Sequence, residues 1–242
     1  MNQHNYDKLN LLRFVGMAKA YQAQVEIEDI NDWPFEERLG YLLDAEYDTR
    51  KNNKIERLIK QANFSDSDAR LEGIQYLPDR ALNRDLFHQL ATNQYLRESQ
   101  NIILVGATGS GKSYISCALG KNACLAGQKV KYIRLPDLLS EIELARAEGR
   151  YARVLKQYQN CDLLIIDEWL LVPTFQQGQQ DLLEVLERRH KLHSTIFCSQ
   201  FKPDGWHERL GSGALADAIL DRVVSKAKLI QIGGEKSMRL RV

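Results

Sequence analysis

The 242-residue chain carries 33 Lys and Arg against 32 Asp and Glu, a net formal charge of +1 that by itself points to no polyanionic partner. Its four cysteines, Cys117, Cys124, Cys161 and Cys198, include no CxxC pair, which argues against a metal or redox role and predicts reduced core thiols. The N-terminal MNQHNYDK has no apolar signal core, and no run approaches the roughly 18 apolar residues of a membrane span, so a cytoplasmic protein without a membrane partner is expected.

Charge is distributed unevenly, with 13 basic and 17 acidic residues over positions 1 to 100 and 20 basic against 15 acidic beyond them. The first 65 or so residues read as helices. Leu39, Leu42, Leu43 and Tyr47 recur at helical spacing, Pro34 suits a first turn, and Glu36 and Glu37 suit the positive end of the dipole; Ile55, Leu58, Ile59 and Ala62 repeat the pattern. The polar stretch NFSDSD at 63 to 68 reads as a boundary, giving a small helical domain over 1–66 and a second domain over 67–242. From about residue 100 the period changes. NIILV (101–105), VKYIRL (130–135), DLLIID (162–167), STIFC (194–198) and KLIQI (228–232) alternate with helical stretches, which predicts a five-stranded parallel sheet covered on both faces.

GATGSGKS, residues 106 to 113, follows the first of these strands and opens a helix, the context a phosphate-binding loop requires. Gly106, Gly109 and Gly111 let the backbone turn its N–H groups toward one anion, and the helix beginning near Lys112 adds its positive end. The nucleotide-binding set is therefore Gly106, Ala107, Thr108, Gly109, Ser110, Gly111, Lys112, Ser113 and Tyr114, with Lys112 reaching the β- and γ-phosphates of ATP and Ser113 holding Mg²⁺. LLIIDE, residues 163 to 168, ends a strand in two carboxylates on different sides; Asp167 is assigned to the metal and Glu168 to the attacking water. STIFC ends in Ser199 and Gln200 at a strand tip placed between the other two, where Gln200, with Ser199 as second choice, can orient water or sense the γ-phosphate. Arg222, in ADAILDRVV, is not assigned by spacing, and an ordinary surface ion pair with Asp217 or Asp221 is its default.

With these motifs in place, the chain resembles the IstB-like helper ATPases of bacterial insertion sequences, within the AAA+ group and close to helicase loaders of the DnaC type. The resemblance runs through GMAKAY, FEERLGYLLDAEYDTR, the phosphate loop with SYISCALG, YIRLPDLLSEIELARAEGRYARVL, LLIIDEW, DLLEVLERRH, STIFCSQ, WHERLG, LADAILDRVV and the closing GEKSMR. It implies an AAA+ P-loop ATPase fold, an arginine finger at Arg222 acting in trans, the sensor position at Gln200, and ATP-dependent homo-oligomeric assembly on duplex DNA with a transposase as partner. Two departures stand out. Trp169 and Leu170 replace the aromatic-glycine pair that often follows the acids, and only about 42 residues follow Gln200, too few for a full helical lid. Arg239 is then a candidate substitute for the absent lid arginine.

Arg146, Arg150, Arg153 and Lys156 fall at i, i+4, i+7 and i+10, within about 120° around a single helix, with Glu148 the one acid between them and Gly149 weakening the helix. That stripe is assigned to a DNA phosphate backbone, against the reading of a solvated face. A second cluster, Arg50, Lys51, Lys54, Arg57 and Lys60, grips DNA or docks the transposase, or is likewise a solvated face. No base-reading module is visible, so binding is expected to be nearly sequence-indifferent. The expected function is an ATP-switched DNA clamp that recruits and stimulates a transposase and disassembles on hydrolysis. A DnaC-like replicative helicase loader is the alternative, with a small-molecule kinase as a third reading that lacks an acceptor pocket and a lid.

Overall fold

The computed structural model describes residues 2–174, 176–234 and 237–240, apart from the side chains of Asn31 and Arg239, and these residues form two compact units, 1–57 and 58–242. Arg239, the candidate substitute for the lid arginine, thus has its side chain outside the described residues.

The first unit comprises α1 (Gln3–Leu11), α2 (Val15–Ala23) and most of α3 (Phe35–Ala62). The two apolar repeats of the sequence merge into this one 28-residue helix, which starts directly after Pro34 with Glu36 and Glu37 in its first turn. Glu46 ties α3 to α2: its carboxylate accepts from the Met17 N–H (3.1 Å) and from Arg50 Nε (2.6 Å). Burial opposes the charge on Glu46, but these donors outweigh it and hold the carboxyl below the usual glutamate range.

In the second unit the short α4 (Arg84–Ala91) and α5 (Gln94–Arg97) lead into β1 (Ile102–Val105), followed by α6 (Lys112–Leu125), β2 (Val130–Arg134), α7 (Leu135–Ala147), α8 (Tyr151–Gln159), β3 (Leu163–Asp167), α9 (Gln176–Arg189), β4 (Ser194–Ser199), α10 (Trp206–Arg209), α11 (Gly213–Val224) and β5 (Lys228–Gln231). All five expected strands are present and pair in parallel in the order β2-β3-β4-β1-β5. Alternation of side chains along each strand divides the core. Ile103, Val105, Leu164, Ile166 and Phe197 bury against α7, α8, α9 and α11, whereas Ile102, Leu104, Leu163, Ile165, Ile196 and Cys198 bury against α6, α4 and the last turn of α3. β1 and β3 are therefore buried at every position, with only Asp167 polar, whereas β2 carries Lys131 and β5 an exposed Leu229 at the two edges of the sheet. All four cysteines are buried free thiols.

The predicted basic helix is the correction. α7 stops at Ala147, Gly149 takes φ +70°, and α8 restarts at Tyr151. The Gly149 N–H donates to Arg146 O and the Arg150 N–H to Ala145 O, the paired bonds of a glycine-terminated helix end. Arg146, Arg150, Arg153 and Lys156 consequently do not share one helix face.

Arg189, at the end of α9, is 1% exposed and forms no salt bridge among the described residues. Its Nη1 donates to the carbonyls of Tyr158 (2.6 Å) and Cys161 (2.8 Å), Nη2 to Ser194 O (2.6 Å) and Nε to Thr195 Oγ1 (3.1 Å), so one side chain closes the ends of α8 and α9 against the start of β4. Burial pulls its guanidinium pKa down, and these acceptors are what keep the buried cation tolerable. Arg189→Met is expected to leave three carbonyls without their donor and to cost about 3 kcal/mol or more in urea unfolding. A loss under about 1 kcal/mol would show that the carbonyls find other donors.

Candidate functional site

A cleft of about 690 Å³ opens outside the carboxyl ends of β1, β2 and β3, and Gly109, Gly111, Lys112, Ser113, Asp167 and Glu168 all line it. The two motifs separated in sequence are thus brought to one place, as ligand sites in open parallel sheets are. The loop turns through Gly109 (φ +79°) and Gly111 (φ +92°), left-handed positions that glycine takes without strain, and α6 begins immediately after. Lys112 is buried, and its Nζ donates to the carbonyls of Gly106 (2.8 Å) and Ala107 (2.9 Å) across the loop. Burial holds its ammonium pKa below the usual lysine range, opposed in part by the thiol of Cys198 and the carboxylate of Asp167.

On β3, Asp167 is buried and accepts the Tyr132 hydroxyl through Oδ2 (2.7 Å) and the Glu168 N–H through Oδ1 (2.7 Å). Burial first, and then the charge of Asp167, push the Tyr132 phenol far up, so it remains a donor. Glu168 has φ +54° and turns its partly exposed carboxylate into the cleft, 3.8 Å from Arg134 Nη1.

The next two residues explain how that turn is held. Leu170 takes φ +55°, a conformation that favours glycine and costs a leucine roughly 1–2 kcal/mol. Leu170 and Trp169 are both fully buried, and complete burial of such side chains contributes about 1.5–3 kcal/mol each, enough to offset the strain. Trp169 packs edge-on against Phe197 (4.6 Å between centroids) and Trp206 (5.8 Å). Arg209 donates from Nε to Leu170 O and from Nη2 to Leu171 O, each at 2.5 Å, while stacking on Phe201. The pair that departs from the aromatic-glycine pattern thus keeps a turn with left-handed backbone.

β4 lies between β1 and β3, as expected of the strand carrying Ser199 and Gln200. Ser199 is buried and joins the neighbouring tips: its carbonyl accepts the Gly106 N–H (3.2 Å), and its hydroxyl donates to Trp169 O (2.9 Å). Gln200 is exposed just beyond the strand and is not among the residues lining the cleft. Arg222, on α11, does not line it either. Its Nε pairs with Glu187 Oε2 (2.5 Å), and its Nη1 lies 3.4 Å from Asp221.

Sequence reasoning missed three residues at the cleft. Tyr132 and Arg134 arrive with β2, whose register sets Arg134 beside Asp167. Arg80 is 3% exposed and donates from Nη2 to Ser110 O (2.8 Å) and from Nη1 to Gln75 O (2.6 Å), bracing the phosphate loop from behind. The segment after β5 meets the same loop through the Met238 N–H on Gly109 O (2.8 Å). Only the strand register could have pointed to Tyr132 and Arg134, and nothing local marks Arg80.

Of the four cations assigned to DNA, Arg146 pairs with the buried Asp181 and stacks on Tyr151, and Arg150 pairs with Glu148. Arg153 and Lys156 are exposed on the outer side of α8, where no ion pair engages them among the described residues. No described helix is long and apolar enough to cross a membrane.

Comparison with known proteins agrees with this geometry. The chain is 38% identical over 233 residues, 96% of its length and 95% of the relative's, to y4pL of Sinorhizobium fredii, named as an insertion sequence ATP-binding protein. In structure it is similar to AMPPCP-bound DnaA from Aquifex aeolicus (TM-score 0.60, 19% identity, 73% of this chain), of which it spans 54%, and to the DnaC helicase loader (TM-score 0.57, 16% identity, 68% of this chain and 97% of that one). These two likenesses carry the fold, an AAA+ P-loop architecture. With residues 7–242 matching the family described as IstB-like ATP binding protein, the chain belongs to that ATP-binding family of insertion sequences.

Proposed function

We propose that the chain is a Mg²⁺-dependent ATPase of transposition that assembles with its own copies on duplex DNA in the ATP state, recruits and stimulates a transposase, and releases on hydrolysis. One observation carries the reading: the loop, its lysine and both acids share one cleft, while Arg222 is held elsewhere on the same chain.

The residues present suit a magnesium triphosphate. Lys112 offers a desolvated cation already directed across the loop, and exchanging its two carbonyl acceptors for phosphate oxygens exchanges neutral partners for charged ones. Ser113 and Asp167 supply the hydroxyl and carboxylate oxygens that Mg²⁺ prefers, and the ion, when bound, would neutralise charge on the phosphates. Backbone N–H groups of Gly109 and of Gly111 to Tyr114 would cradle the anion, the Gly106 N–H being held by Ser199 O. Glu168 is the group that takes the proton of the attacking water, and Tyr132 keeps Asp167 oriented beside it. Gln200, next to a strand tip flanked by those of β1 and β3, is assigned the γ-phosphate sensor. Arg222 completes the site of a neighbouring copy. Arg153 and Lys156 are retained as DNA phosphate contacts.

Lys112→Ala is expected to abolish nucleotide uptake in calorimetry with magnesium present; unchanged uptake by the folded variant would sink the assignment of the cleft. Glu168→Gln should retain ATP, lose turnover by at least about 100-fold and persist on DNA. Arg222→Ala should lower turnover by about 10³-fold, and mixing it with Lys112→Ala protein should restore part of the loss, because each variant supplies what the other lacks. No recovery in mixed assemblies would rule out action in trans. DNA affinity should fall steeply with salt and vary little with sequence, and a strong site preference in competition assays would contradict phosphate-dominated binding.

A further inference from the structure

An arginine that must engage a phosphate on another molecule has four rotatable side-chain bonds to fix before its planar fork is useful. In this chain the fixing is done by two helices. Arg222 leaves α11 within its last turn, and its Nη1 donates to Ala218 O, four residues back on the same helix, at 3.1 Å. Its Nε donates to Glu187 Oε2, on α9, at 2.5 Å. Nη2 makes no hydrogen bond or ion pair among the described residues. The guanidinium is thus held through Nε and Nη1, and Nη2 is the nitrogen left uncommitted among the described residues.

The sequence prepares Glu187 for this. Along α9, Leu182, Val185 and Leu186 turn into the core, and Glu184 is engaged by Arg188 one turn on. Glu187 is left on the side where α11 packs. Asp221 also approaches, at 3.4 Å, but its side chain is 70% exposed. A pair this open to water contributes little to the stability of the chain, so structural support is a poor account of the contact.

We infer that Glu187 is a positioning residue for Arg222, holding its guanidinium by Nε so that the free Nη2 is presented in one orientation to the transferring phosphate of a neighbouring copy. The inference rests on the reading of Arg222 as a finger acting in trans. Glu187 is itself 54% exposed, so its attraction for Arg222 is screened, and the more highly charged phosphate group can share the cation without displacing a strong internal pair.

The test uses the full chain with duplex DNA, ATP and magnesium. Glu187→Ala is expected to lower kcat by about 2- to 12-fold, the range for a typical hydrogen bond, since water screens this pair, with KM, nucleotide affinity and melting temperature unchanged. Glu187→Gln keeps an acceptor oxygen and should retain most of the rate. In the Arg222→Ala background, Glu187→Ala should have no further effect. Mixed assemblies give the sharper readout. When Lys112→Ala chains donate the finger to Arg222→Ala chains, adding Glu187→Ala to the donor should reduce the recovered rate, and adding it to the acceptor should not. A rise in kcat, no change, or an equal effect from either chain would overturn the role of Glu187. Absence of any recovery between Lys112→Ala and Arg222→Ala would instead overturn the trans reading of Arg222, and this proposal with it.

Discussion

The tip of β4 is where the site is made. Ser199 receives the Gly106 N–H on its carbonyl and gives its hydroxyl to Trp169 O, while the Trp169 N–H reaches Cys198 O at 2.8 Å. The phosphate loop follows β1 and the two acids end β3, so they are not neighbours in the sheet; β4 separates them and references both to one set of backbone groups. Each of these bonds is worth only about 1 kcal/mol net, but the tip is buried, and a group orphaned there costs more than the bond that held it. The spacing between loop and acids is therefore a property of the sheet's interior. Solvent-exposed loops do not set it.

Around that fixed tip the chain stores strain and offsets it with burial. Glu168 and Leu170 both adopt left-handed backbone, with Trp169 between them sunk among Phe197 and Trp206. The core packing of the tryptophan and leucine opposes the cost of the turn, and Arg209 caps the two carbonyls that the turn frees. What this arrangement achieves is directional: Asp167 stays buried against Tyr132, and the adjacent Glu168 faces the cleft with its carboxylate partly in water. Two identical functional groups thereby acquire different surroundings, which is the condition for giving them different tasks.

The arginines show how far charge in a sequence is from charge on a surface. Arg80 and Arg189 are buried and donate to backbone carbonyls, one at the phosphate loop and one where α8, α9 and β4 meet. Arg146 serves the buried Asp181. Arg222 stands apart from its own cleft, held between α9 and α11. Excess basic residues in the second half of the chain are thus partly internal solvent for carbonyls and carboxylates, and only part of that excess is available to a polyanion.

The sheet, its five strands and the phosphate loop were legible from local pattern, because continuous apolar runs, glycine spacing and a strand-to-helix context each express a short-range requirement that few alternatives satisfy. Family membership followed from the order of many such segments. The break at Gly149 was legible only as a weakening of the helix, since spacing of cations describes a helix only if the helix exists, and a single left-handed glycine ended it. Tyr132, Arg134, Arg80 and Glu187 were invisible, for a different reason. Their importance comes from partners 30 to 35 residues away, brought close by parallel register and helix packing. The residue types that chemistry demands are written along the chain, whereas the side chains that orient them are chosen by which strands and helices become neighbours, and only the folded core decides that.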